Sequence, residues 1–135
     1  MGQQQLLLIV LGVIIVGIAV VVGINLFNAN ATNANRDGVI SDLNNLGAMA
    51  QQFYKKPTSM GGGGNAFDGS NGHPTGWTIP TGLDSTANGT YPTPTVGPQT
   101  VSITGIGTEP GTDGTNPVNA TCTVTPVTIS VAVNN

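Results

Sequence analysis

Two hydrophobic patterns follow one another along this chain without a break. Residues 6–27 read LLLIVLGVIIVGIAVVVGINLF, apolar at almost every position and free of charge and proline. That is enough for the roughly 20 residues a helix needs to cross a hydrocarbon core. From residue 28 the pattern becomes one-sided. Val39, Ile40, Leu43, Leu46, Ala50 and Phe53 recur mostly at spacings of three and four, along one helix face. Arg36, Asp37, Ser41, Asp42, Asn44, Asn45, Gln51 and Gln52 fall on the other face. Lys55 and Lys56 complement the negative end of the helix dipole, and Pro57 stops the helix. The pattern predicts one helix over residues 1–56, with a membrane or core-forming part at 1–27 and an amphipathic part at 28–56 that carries a head.

Two features could interrupt that helix. Gly12, Gly17 and Gly23 each cost roughly 1 kcal/mol relative to Ala and can bend or locally unwind it. Their spacings do not make a GxxxG pairing face. Residues 28–35 read NANATNAN, and Asn competes with the helix for backbone hydrogen bonds, so a kink or short break is expected there first.

Past Pro57 the periodicity disappears into a Gly- and Pro-rich connecting region, 57–98, with Trp77 and Ile79 as the first candidates for the head. The β-rich part of the head is 99–135. Val101 and Ile103 alternate with polar neighbours as in a half-buried strand. A longer β segment covers 119–133, with apolar positions at Cys122 and Val124, then Val127, Ile129, Val131 and Val133. The parity changes at Pro126, which therefore marks a bulge, kink or strand boundary. The last strand is expected to close the sheet. The fold class is α+β: a long N-terminal helix packed on a small antiparallel sheet.

Composition narrows the function. Only 7% of the 135 residues are charged, and the net charge is −3. No basic patch is available for nucleic acid. Cys122 is the sole cysteine, so no intrachain disulfide can staple the head, and it reads as a small buried hydrophobe. The apolar run exceeds the 7–15 residues of a signal-peptide core, has no Lys or Arg before it and no small-residue cleavage site after it. The chain reads as a mature product whose basic leader has already been removed.

Candidate chemistry is sparse. His73, the only histidine, has no partner at metal-ligand spacing. Asp68, Asp84, Glu109 and Asp113 sit in turn-like contexts without a dense calcium loop. The glycine run 61–64 lacks the lysine and the strand-to-helix context of a phosphate loop. Asn30, Asn88 and Asn119 begin glycosylation acceptor patterns, of a kind that arises by chance in an Asn- and Thr-rich chain. Trp77 and Tyr91 are the candidates for stacking on a sugar, in a reading as a membrane-anchored carbohydrate-binding module. Nothing nominates an active site or a cofactor, and the chain does not read as an enzyme.

The polar cap and apolar stretch at 1–27, the amphipathic continuation to Tyr54 and the β-rich C-terminal part together resemble a mature type IV pilin. That resemblance implies an inner-membrane pool held by the helix, removal of a short leader by a prepilin peptidase and methylation of the new N-terminus. It also implies assembly with copies of the same chain, by a pilus machinery, into an extracellular filament. On it, Met1 is the mature start, although cleavage after Gly2 would instead make Gln3 the first residue. Gln5 stands where the family usually has glutamate and would accept a hydrogen bond from a neighbour's N-terminal amine. Leu6, Leu7, Leu8, Ile9, Val10, Leu11, Val13, Ile14, Ile15, Val16, Ile18, Val20, Val21, Val22 and Ile24 would pack the filament core, with unwinding allowed at Gly12, Gly17 or Gly23. Val22 replaces the family's helix-breaking proline, and the usual C-terminal disulfide loop is missing. The expected role is a major pilin; a minor pilin or a secretion pseudopilin is the nearest alternative.

Overall fold

The computed structural model describes residues 2–135. Helix α1 (Gly2–Lys55) runs through 54 residues without interruption, about 81 Å at 1.5 Å per residue. Residues 28–35 stay helical, so the break expected among the asparagines does not occur. Partners in the head compensate for their poor propensity: Thr32 and Asn35 both bond to the following sheet.

α1 ends where the sequence places its stop. Pro57 takes an extended conformation (φ −61, ψ 149) ahead of a short 3-10 turn, Thr58–Met60. The glycine run then folds back over the helix end. Gly63 N donates to Phe53 O at 2.7 Å, Asn65 N to Tyr54 O at 2.8 Å and Gly64 N to Lys56 O at 3.0 Å. These bonds occupy carbonyls that a helix terminus leaves unpaired. A side chain at Gly63 would strike the Ala66 carbonyl, and Gly64 has φ +59. The run is a helix cap that only glycine fits.

Six antiparallel strands follow: β1 (Ser85–Thr86), β2 (Gly89–Thr90), β3 (Thr95–Val96), β4 (Val101–Pro110), β5 (Pro117–Val124) and β6 (Ile129–Val133). Their order is β1-β2-β4-β5-β6, with β3 also paired to β4. The predicted segment 119–133 is two strands. β5 and β6 form a hairpin in which Val124 faces Ile129 and Thr125 N donates to Thr128 O at 2.8 Å. Pro126 lies in that turn, the boundary signalled by the parity change. β6 is an outer strand of the sheet.

One face of β4 and β5 meets α1. Val101, Ile103, Gly105 and Gly107 alternate inward on β4; Val118, Ala120, Cys122 and Val124 do so on β5. Opposite them lie Val39, Leu43, Leu46, Gly47 and Ala50, all buried. Phe53 packs against this core half-buried. Ile40, expected on the same face, sits one helical step off the stripe and lies half-buried outside the core cluster. Phe67, Trp77 and Tyr91 close the core, so the connecting region contributes its largest aromatic side chains.

β4 carries its small residues where the helix comes closest. A Cβ on Gly105 would stand 2.8 Å from Val39 Cγ1 and 3.0 Å from Tyr91 Cε1. Gly105→Val should therefore destabilise the head by about 1–3 kcal/mol through overpacking, although valine is the better strand former. Thermal unfolding of the detergent-solubilised chain, followed by Trp77 fluorescence, would show it. An unchanged or raised Tm would contradict this close helix–sheet contact.

Candidate functional site

Among the described residues, no other part of the chain covers the N-terminal half of α1. From Leu6 through Val10, then Leu11, Val13, Ile14, Ile15, Val16, Ile18, Val20, Val21, Val22 and Ile24, every side chain is exposed, from 52% at Leu11 to 69% at Leu7. Leu26 and Phe27 continue the surface. Consecutive residues step 100° around a helix, so this surface points in all directions and has no polar side. It far exceeds the few hundred Å² of contiguous apolar surface normal for a soluble monomer. A single partner docked on one side would leave the rest in water. An enclosing apolar medium such as lipid would cover it on every side, and the helix is long and apolar enough to cross a membrane.

Gln5 is exposed at the start of this cylinder, on a different side of the helix from Gln3, Leu6, Leu7 and Val10. Gly12, Gly17 and Gly23 are all helical, with nothing within 4 Å of the place a Cβ would take. Met1 lies outside the described residues.

A set of polar bonds fixes the direction in which the cylinder leaves the head. Asn35, 8% exposed, falls on the stripe that continues as Val39, Leu43, Leu46 and Ala50. Its Oδ1 accepts from Thr108 N at 3.1 Å and Glu109 N at 3.3 Å, and its Nδ2 donates to Asn88 O at 2.7 Å. The asparagine thereby satisfies β4 backbone groups beyond the last core side chain. Two turns along, Asp42 Oδ2 accepts from Tyr91 Oη at 2.7 Å, Thr86 Oγ1 at 2.8 Å and Asn88 Nδ2 at 3.2 Å. Farther on, Gln51 Nε2 donates to the carbonyls of Thr125 at 3.0 Å and Thr128 at 3.2 Å.

These contacts revise the polar face of α1. Arg36, Asp42 and Gln51 turn to head loops, with Arg36 Nη2 donating to Thr112 Oγ1 at 3.2 Å. Asp37, Ser41, Asn44, Asn45 and Gln52 are exposed as expected. The loops wrap the flanks of the helix, so the head covers more than the apolar stripe. Asn35 was legible from its i, i+4 spacing to Val39; no local signal marked Asp42.

The other candidates are accounted for individually. Trp77 and Tyr91 are 6% and 2% exposed, so neither offers a ring to a sugar. His73 Nδ1 lies 2.6 Å from Thr75 O and its ring meets Phe53 edge-on at 5.1 Å. Asp68 and Asp113 accept backbone N–H groups of their own turns. Asn88, one of the glycosylation candidates, spends its side-chain amide on Asp42. Cys122 is buried, and desolvation pushes its thiol up to about 11, which keeps it unreactive.

A long N-terminal helix, bare and apolar over its first half and packed on an antiparallel sheet over its second, is consistent with a pilin-like architecture. Comparison with protein-family models, curated proteins and solved structures finds no match.

Burial raises the Asp42 carboxyl, but the bonds from Tyr91, Thr86 and Asn88 outweigh it and hold the group below its ordinary range. A carboxyl depressed by folding contributes stability that is present above its unfolded value, near 4, and lost as pH falls through the folded one. Asp42→Asn should therefore lose less Tm than the wild type between pH 5 and pH 2, and be the less stable protein at pH 7. Parallel Tm–pH curves for the two proteins would contradict this assignment.

Proposed function

We propose that this chain is a structural subunit of an extracellular filament of the type IV pilus kind, the major one, and not an enzyme. The observation that carries the reading is the apolar cylinder at residues 6–27, bare on every side and continuous with a helix that carries a folded head. Lipid covers the cylinder before assembly, and the helices of neighbouring copies cover it afterwards. Prepilin peptidase and the pilus machinery are the partners this requires, with the inner membrane as the storage site and the cell surface as the destination.

In this scheme Leu6 to Ile24 pack the axis of the filament. Gln5 accepts a hydrogen bond from the N-terminal amine of an adjacent copy, a neutral substitute for a charge-assisted bond. Gly12, Gly17 and Gly23 are the places where the helix can unwind as neighbours close around it. No disulfide is needed, because contacts between subunits add to the stability of a small head.

Cryo-electron microscopy of material sheared from the cell surface, with mass spectrometry of the same sample, tests the reading. Thin fibres dominated by this chain, with α1 along the axis, are expected. Detection only as a trace in fibres built from another protein would make it a minor pilin or pseudopilin. Leu11→Arg places a charge in the cylinder at about 2.5–3.5 kcal/mol even in a membrane and should abolish filaments. Thr81→Ala, at an exposed head position, should leave them intact. Normal filament yield from Leu11→Arg would sink the proposal.

A further inference from the structure

Lipid tails are as apolar as a neighbour's leucines, so moving the cylinder from membrane to filament brings little hydrophobic gain. On the filament reading, contacts between heads must help to favour assembly, and the surface of this head shows where one forms.

The head has two poles along α1. At the base, where the bare helix emerges, Asn28, Ala29 and Thr32 of α1 and Glu109, Pro110 and Gly111 at the end of β4 border a groove of about 350 Å³. Thr32 Oγ1 donates to the Pro110 carbonyl at 2.8 Å and holds its two walls together. At the tip, at the C-terminal end of α1, stand exposed Lys55 and Lys56. Met60 in the 3-10 turn is 65% exposed, and Val127 in the β5–β6 turn is 86% exposed. Gln51 pins that turn to the same end of the helix.

The poles also differ in charge. Two of the three basic residues, Lys55 and Lys56, are at the tip. Asp68, on the loop after the tip, offsets part of this, with its carboxylate engaged by Ser70 N at 2.9 Å. The base carries Asp37, Glu109 and Asp113, opposed only by Arg36. Tip against tip, or base against base, brings like charges together; tip against base brings opposite ones, with apolar projections facing a groove.

We propose that the base groove of one copy receives the tip of another copy of this chain, Lys55 and Lys56 facing Glu109 and Asp113, with Met60 and Val127 covered by the contact. Unlike surfaces joined with an offset along α1 do not close into a ring, and the contact repeats along a fibre. Residues 29–32 and the helix end are separated by about 25 residues, or roughly 40 Å of α1, so the two copies are offset axially by about that distance.

The test uses the full chain in cells. Lys55→Glu with Lys56→Glu should lower the yield of sheared filaments at least tenfold with the cellular amount of subunit unchanged, and adding Glu109→Lys should restore it to within threefold. In a second arm, Val127→Cys combined with Thr112→Cys should give a ladder of dimers, trimers and longer species when filaments are oxidised. Buried Cys122 stays out of that reaction. Wild-type yield from the lysine variant together with no ladder would overturn the head-to-tail contact and leave the filament reading standing on Leu11→Arg. Dimers from Val127→Cys alone would overturn it in favour of tip-to-tip contact. Absence of filaments from the unmodified chain would remove the filament reading and this contact with it.

Discussion

A helix that is apolar in every direction cannot be hidden by folding against one side of anything. That constraint governs residues 6–27, and the rest of the molecule is arranged around it. The head takes no part in covering the cylinder; it occupies only the following half of α1 and leaves the first half bare. The chain's own fold therefore leaves this surface uncovered. Its stable settings are those in which something else supplies an apolar surround.

The second half of α1 solves a different problem, because one helix must serve both as a wall of a small core and as the base of a long projection. Val39, Leu43, Leu46 and Ala50 give the head a buried stripe without which the inward faces of β4 and β5 would lie open. Side-chain size follows the approach of the helix: Val101 and Ile103 fill space toward its end, whereas Gly105 and Gly107 let it come close nearer the base. Apolar packing alone allows sliding and rotation, and directional bonds restrict both. Asn35 and Asp42 tie the helix to the β1–β2 turn from two positions, and Asn35 also holds β4. The orientation of the projecting cylinder is thus set by hydrogen bonds made inside the head.

The helix and its division into two halves were legible because both rest on periodicity, and periodicity reports directly what surrounds each face. The asparagines at 28–35 were misleading in one respect. Their propensity favours a break, but Thr32 and Asn35 find partners on a strand more than 70 residues away in sequence. The strand pattern at Val101 and Ile103 was also legible, yet β4 extends to Pro110 because glycines at 105 and 107 keep its alternation in a form no hydrophobic pattern displays. Asp42 looked like a solvated charge on a polar face; only the fold brings Tyr91, Thr86 and Asn88 to it. Tyr91 and Trp77 looked available because they stand in Gly- and Pro-rich sequence, and they are buried because that sequence folds back over the end of the core.

The continuity of α1 joins these two parts mechanically. Through residues 28–35 the helix neither breaks nor changes register, so the positions bound to the head and the positions that need enclosure belong to one rod. On the proposed filament reading, a force applied to the head passes along α1 into the cylinder with no flexible linker to dissipate it. Gly38 and Gly47, in the second half, lie against Asn88 and Ile129 of the head, whereas Gly12, Gly17 and Gly23 have unfilled space beside them that leaves room for a surrounding medium to approach the backbone. A break there would cost backbone hydrogen bonds in lipid, where no water replaces them. The bare half of the helix is thus held most firmly as a continuous rod where lipid surrounds it.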